Sequence, residues 1–186
     1  MKAQLNPHFL FNTLNNIYSL AIVKSDKTAH AVLKLSAIMR YILTETERNL
    51  VPLENEVAFI HNYIELQQVR LTEKVQVNFN IEGNTAPLLV APLIFIPFVE
   101  NAFKHGISFR NASRISVSLQ IKDQSLYFDV YNTIHEGSEN DPEKYKSGIG
   151  LENVGQRLKL LYPNKHELTI RETGKEYFVH LTLQLK

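Results

Sequence analysis

Three small groups of residues in this chain of 186 are of types that handle phosphate and metal. In Glu100-Asn101-Ala102-Phe103-Lys104-His105, Asn101 and Lys104 are three positions apart and share one face if the segment is helical. An amide oxygen suits Mg²⁺, a hard ion that takes oxygen ligands and keeps much of its water. A lysine one turn away neutralises phosphate as a point charge. Ser147-Gly148-Ile149-Gly150 joins a polar stretch to the expected start of a helix. Glycine lets backbone approach a ligand closely, and the first N–H groups of a helix are open to an anion. His8 lies on the polar side of another helical pattern, together with Asn12, Asn15 and Ser19. Neutral imidazole is a competent nucleophile near neutral pH. Each group also has an ordinary structural explanation: a polar helix end closed by Gly106, a loop-to-helix turn, an exposed histidine. Spacing alone does not choose between the two.

Much other chemistry is excluded. The chain has no cysteine, which rules out disulfides, thiolate zinc sites and a cysteine nucleophile. His30, His61, His135, His166 and His180 are scattered, with no pair at helical metal-ligand spacing. No nucleophile-elbow serine and no Walker-type lysine loop occurs. With 20 basic and 19 acidic residues the net charge is +1, so no bulk field draws nucleic acid or anionic lipid, and no direct nucleic-acid contact is expected. No run of about 18 apolar residues could span a bilayer. Residues 1–8 already read as the inside of a helix, so the chain is expected to begin within a longer protein that could carry a membrane segment upstream.

The periods of the sequence say what must position these groups. Residues 8–24 repeat Leu10, Leu14, Ile17 and Ala21 at helical spacing, with Asn6 as a cap and Pro7 in the first turn. After the polar break at Ser25-Asp26-Lys27-Thr28, residues 28–47 set Ala31, Leu35, Ile38 and Ile42 on one side. The short connection predicts an antiparallel hairpin, and pairing two hairpins as a four-helix bundle predicts a homodimer. Val51-Pro52 marks a boundary between residues 1–50 and 51–186. A third helix, about 53–71, turns Val57, Ile60 and Ile64 inward. The period then drops to two at Val75, Val77, Phe79 and Ile81, a strand ended by Gly83-Asn84. The second half of 91–107 reads as a helix closed by Gly106. Strands near 114–122 and 125–132 flank a tight Asp123-Gln124 turn. Residues 134–147 are polar and aperiodic, long enough to be a lid. A helix runs from the glycine pair to about Leu161, and strands near 166–172 and 176–185 close the chain. The expected fold is α+β: a helical hairpin, then a mixed sheet covered by helices on one face.

Three segments, in this order, resemble those of the LytS/YehU-like sensor histidine kinases. Gln4-Leu5-Asn6-Pro7-His8-Phe9-Leu10-Phe11-Asn12-Thr13-Leu14-Asn15 resembles the phosphoacceptor box. Pro97-Phe98-Val99-Glu100-Asn101-Ala102-Phe103-Lys104-His105-Gly106 resembles the N box, and Gly148-Ile149-Gly150-Leu151-Glu152-Asn153-Val154 with Arg157-Leu158 the G box. Leu53 to Leu71, with Glu56, Tyr63 and Arg70, looks like the linking helix. The resemblance covers essentially the whole chain. It implies a dimerisation and phosphoacceptor hairpin over 1–50 and a Bergerat-fold, GHKL-type ATP-binding domain over 51–186. It implies ATP and Mg²⁺, with His8 phosphorylated, Asn101 holding the metal, and Lys104 and His105 on phosphates. Gly148, Ile149, Gly150 and Leu151 would line the nucleotide, the glycines letting a lid close. Glu100 would act as base or orienting group for His8, and Asn12 would orient the ring or a water. The phosphoryl group would pass to an aspartate of a response regulator, often of the LytTR type. The chain would be the cytoplasmic portion of a protein anchored in the bacterial inner membrane through an N-terminal region.

Two departures bear on activity. Val130-Tyr131-Asn132-Thr133 puts Asn132 where related ATPases carry an aspartate that reads the adenine amine, and the glycines that usually follow are missing. Asn132 can still accept through its side-chain oxygen, but without charge, so weaker nucleotide affinity is expected. Pro97 stands four before Asn101, where hydrolysing relatives carry a water-activating glutamate. That favours histidine phosphorylation over an ATP-driven conformational machine. The competing expectation is a degenerate nucleotide-binding and dimerisation module without kinase activity.

Overall fold

The computed structural model describes residues 7–108, 110–135 and 144–185, with the side chains of residues 7, 8 and 144–149 outside the described set. The opening helical pattern forms α1 (Pro7–Ile22) and α2 (Lys27–Glu45), joined by the short polar turn. A two-residue strand β1 (Val51–Pro52) then leads into α3 (Leu53–Gln68). The strand β2 (Val75–Glu82) follows, then β3 (Leu89–Val90) and α4 (Ile96–His105). Two long strands, β4 (Ser113–Lys122) and β5 (Ser125–Thr133), precede α5 (Lys144–Leu161), and β6 (His166–Glu172) and β7 (Glu176–Gln184) end the chain.

The main sheet has the order β2-β4-β5-β7-β6, with β2 parallel to β4 and every other pair antiparallel. It is the mixed sheet the sequence predicts. Period-two alternation explains its sidedness. Ile115, Val117, Leu119, Leu126, Phe128, Val130, Val179, Leu181 and Leu183 all turn to the helix-covered face and are buried. Phe128 meets Phe95 and Phe98 with ring centroids 4.7 and 6.3 Å apart. Asp123 and Gln124 both take positive φ, 54° and 47°, as a two-residue hairpin turn requires.

Three features differ from the sequence reading. Val51-Pro52 is a strand paired antiparallel with Leu89-Val90, which ties the start of α3 to the segment before α4. Two-residue strands carry too little period to be seen in sequence. On α1 the inward side is Phe9, Leu10, Thr13, Ile17 and Leu20, whereas the expected inward Leu14 and Ala21 are exposed. The helix carries a second apolar stripe, Phe11, Leu14, Tyr18 and Ile22, and a period cannot say which stripe faces the rest of the chain. The final helix begins at Lys144, ahead of the glycine pair. The expected upstream helix at residues 1–6 and most of the expected lid, 136–143, lie outside the described residues.

Candidate functional site

Helix α4 places the Asn101 group. Pro97 sits in its first turn, where a missing N–H costs nothing, and Lys104 and His105 in its last turn oppose the helix dipole. Phe98, Val99, Ala102 and Phe103 bury one side against the sheet. That leaves Asn101 partly buried and Lys104 exposed, on the other side. Among the described residues no group of three or more His, Asp or Glu is placed to hold a metal ion.

The helix ends at Gly106, whose N–H donates to the Ala102 carbonyl at 2.8 Å. A Cβ at Gly106 would lie 2.5 Å from the Ala102 oxygen and 2.7 Å from the Asn132 Cβ. Glycine is required here because the end of α4 presses against the end of β5. Asn132 occupies an inward position of β5 and is fully buried. Its Nδ2 donates to the Thr133 carbonyl at 2.9 Å, which leaves Oδ1 as an acceptor without a donor. A buried acceptor left unpaired costs about 1–3 kcal/mol, so such a group calls for a reason. An adenine amine is a donor of the right kind, and the residue fits that ligand in type. Around it, Thr133 Oγ1 donates to the Gly106 carbonyl at 3.2 Å, and the His135 Nε2 lies 2.9 Å from Ser113 Oγ.

The turn that carries His8 reaches α4 through aromatic rings. Phe9, next to His8, stacks on Tyr63 of α3 at 5.1 Å between centroids, and Tyr63 meets Phe103 of α4 edge-on at 5.9 Å. Glu100 lies close enough to Tyr63 to raise the phenol further above its usual range, where burial already holds it. Burial also pushes the Glu100 carboxyl up to about 7. The side chains of His8 and Ile149 lie outside the described residues. Asn12 is on the exposed side of α1, one turn after His8.

The glycine pair stands differently from the sequence reading. Gly148 and Gly150 are inside α5, not at its start. Reading glycine as punctuation misled, because one glycine costs a helix only about 1 kcal/mol. Only the first four N–H groups of a helix lack intrahelical partners, so these glycines do not offer theirs to phosphate in this state. A Cβ at Gly150 would meet nothing within 4 Å. Leu151 packs against the hydrophobic core.

Glu56, named above only for the resemblance of the linking helix, proves to be a buried polar centre. Glu56 of α3 is fully buried, bonded to Tyr41 of α2 and to the Leu93 N–H, with Arg157 of α5 nearby. Its signal was there: Leu53, Glu56, Ile60, Tyr63 and Gln67 repeat at three and four, a carboxylate on the inward stripe. A separate cavity of about 290 Å³ lies between α1, α2 and α3, bounded by Thr13, Ile17, Leu20, Leu66 and Arg70 among others. None of the expected nucleotide residues touches it.

Known proteins resemble this chain in sequence and in fold. The profile of the Histidine kinase family matches residues 1–75. Sensor protein LytS of Oceanobacillus iheyensis is 30% identical over 195 residues, which cover 98% of this chain and 33% of that protein. The sensor histidine kinase/phosphatase LytS of Staphylococcus aureus is 28% identical over 187 residues, 94% of this chain and 32% of the relative. The chain thus spans about a third of the length of these relatives. In structure it is similar to the histidine kinase domain of the blue-light activated histidine kinase from Erythrobacter litoralis EL346. The TM-score is 0.54 at 13% identity, over 98% of this chain and 87% of that one. It is also similar to full-length ShkA in complex with AMPPNP, with a TM-score of 0.53 at 17% identity over 90% and 38% of the two chains. The fold is that of histidine kinase catalytic regions.

Proposed function

We propose that this chain, related along its length to the LytS-type sensor histidine kinases, is the part of a two-component sensor kinase that phosphorylates its own His8 from Mg-ATP and passes the phosphoryl group to a response-regulator aspartate. The observation that carries the reading is the ring contact Phe9–Tyr63–Phe103. It fastens the turn bearing His8 to the helix bearing Asn101 and Lys104. Phosphoryl transfer asks mainly for positioning and charge neutralisation, and such a contact supplies positioning.

In this reading a ring nitrogen of His8 attacks the γ-phosphorus, a P–N bond forms as the bond to the β,γ-bridging oxygen breaks, and ADP leaves. Glu100 takes the proton the ring then sheds, a role suited to a carboxyl titrating at about 7. Lys104 and His105 offset negative charge on the phosphates. Mg²⁺ held by the Asn101 amide would neutralise the transferring oxygens. Asn132 Oδ1 accepts from the adenine amine, and Asn12 orients the His8 ring. The α5 start around Gly148, Ile149, Gly150 and Leu151 unwinds to close over the triphosphate. Residues 1–50 form the dimerisation and phosphoacceptor unit and 51–186 the ATP-binding unit. The exposed stripe Phe11, Leu14, Tyr18 and Ile22 supports a homodimer through the hairpin. The rest of the protein carries the anchor in the bacterial inner membrane, and this part faces the cytoplasm. Its regulator is of the LytTR type.

Incubation with γ-labelled Mg-ATP tests the reading. An acid-labile, alkali-stable phosphoprotein is expected from the wild type and none from His8→Ala; full label on His8→Ala overturns the assignment. The complete burial of Asn132 favours a second reading, a dimerising signalling module without kinase activity. Calorimetry showing no heat with millimolar Mg-ATP would support that reading over the first.

A further inference from the structure

The mechanism above leaves out the most buried carboxylate in the described chain. Oε1 of Glu56 accepts from the Tyr41 hydroxyl of α2 and from the Leu93 N–H at 2.6 Å. Leu93 has φ 55°, a left-handed conformation that a leucine keeps only where its surroundings hold it. From the other side, Arg157 of α5 donates to the Leu93 carbonyl at 3.4 Å and to the Pro92 carbonyl at 2.6 Å. Tyr162, just past the end of α5, accepts from the Ala91 N–H at 2.8 Å. The strained residue is therefore gripped at both ends of its peptide unit, by α3 on one side and α5 on the other. Leu93 lies three residues before the start of α4 at Ile96, in the turn that leads the chain into the helix bearing Asn101 and Lys104. Arg157 shares a helix with Gly148 and Gly150.

We propose that Glu56 is a positioning residue: through Tyr41, Leu93 and Arg157 it joins α2 of the hairpin to the entry turn of α4 and to α5, so that the geometry of the hairpin sets the geometry of the nucleotide cleft. For its consequence on ATP the inference rests on the kinase reading. In this proposal the junction has two arrangements. With Tyr41 in place the Glu56 oxygen is held on Leu93, and the turn stays left-handed. If α2 rotates Tyr41 away, the carboxylate is free to swing, Leu93 relaxes toward the extended region, and α4 and α5 shift with it.

Hydrogen exchange on the full chain without nucleotide tests the junction directly. Tyr41→Phe removes one hydroxyl and little else. Exchange is expected to quicken about fivefold, the net worth of one hydrogen bond, in residues 91–99 and 150–158, while sheet residues 115–121 keep their rates. Lys34→Met breaks a separate polar tie between α2 and α3, to Asn62 and Glu65, and is expected to leave residues 91–99 and 150–158 unchanged. Quickening confined to α2 and α3 in Tyr41→Phe, or the same pattern in Lys34→Met, overturns the proposal. In labelling assays Tyr41→Phe is expected to raise the KM for Mg-ATP about fivefold with kcat within twofold of wild type. An equal fall in kcat with KM unchanged also overturns it. If the wild type takes no label, the kinase reading fails, and the exchange experiment still decides whether the junction couples these helices.

Discussion

Glu56 and Glu100 stand on neighbouring helices, and both carboxyls are pushed up to about 7, yet they reach that value by different routes. Glu100 is raised by burial alone. Glu56 is raised by a larger burial that its Tyr41, Leu93, Arg157 and Ile94 partners only partly offset. A carboxyl held by fixed donors at known places has its geometry set, and changing its protonation disturbs several elements at once. A carboxyl shifted by its surroundings alone is free to gain or lose a proton. The first arrangement suits a structural junction and the second suits a proton acceptor, although their titration looks alike.

Truncation should separate them most sharply. Glu56→Ala leaves the buried Tyr41 hydroxyl and Leu93 N–H without their acceptor, at about 1–3 kcal/mol each, so a loss of about 4 kcal/mol is expected in urea unfolding. Glu100→Ala strands no such donors and should cost about 1 kcal/mol or less, while slowing phosphorylation about 100-fold, the scale of a lost general base. Similar stability losses for the two variants would erase the distinction.

Acid titration of stability comes next in size. A raised pKa means that the folded state holds the proton more tightly than the unfolded state, whose carboxyls titrate near 4.5. The stability this gives is full below about 4.5 and is lost as pH rises through about 7. At about 1.4 kcal/mol per unit, each group contributes about 3 kcal/mol over that window. Glu56→Gln and Glu100→Gln should each flatten the fall between pH 5 and 8 in thermal unfolding. A wild-type profile that rises with pH across this window would contradict both shifts.

What the sequence disclosed follows the same division. The alternation of Leu126, Phe128 and Val130 announced β5, and the stripe Ala31, Leu35 and Ile38 announced the inner side of α2, because burial repeats with the backbone period. The same rule carries Asn132 to an inward position, although its candidacy for adenine came from the resemblance and not from the period. Glu56 breaks the pattern of α3 equally and carries part of the linking-helix resemblance, but its role is illegible in sequence because its partners Tyr41, Leu93 and Arg157 come from distant parts of the chain. The pairing of Val51-Pro52 with Leu89-Val90 was illegible for the same reason. The start of α5 was misplaced because local glycine content outweighed a helix that extends past it.

Asn132 offers a smaller test of the inner face. Asn132→Ala removes the orphaned acceptor together with the Nδ2 bond to the Thr133 carbonyl, so the fold should lose about 1 kcal/mol. If Oδ1 reads adenine, the same change should weaken Mg-ATP binding about tenfold in calorimetry, as a hydrogen-bonding group facing a polar ligand does when lost. Unchanged affinity would detach Asn132 from the nucleotide.

The smallest expected effect concerns the helix opposite. Gly150 lies inside α5 with open space where a Cβ would stand, so nothing in this state requires glycine there. Gly150→Ala should stabilise the helix by about 0.5–1 kcal/mol, measurable as a modest rise in Tm. If the start of α5 must unwind for the backbone to reach phosphate, that added helicity opposes closure. The KM for ATP should then rise about threefold to fivefold, the kinetic image of the same free energy. A variant that is more stable and binds nucleotide as well as the wild type would mean that α5 keeps its helical start when the triphosphate is bound, and that the glycines serve its packing and not its opening.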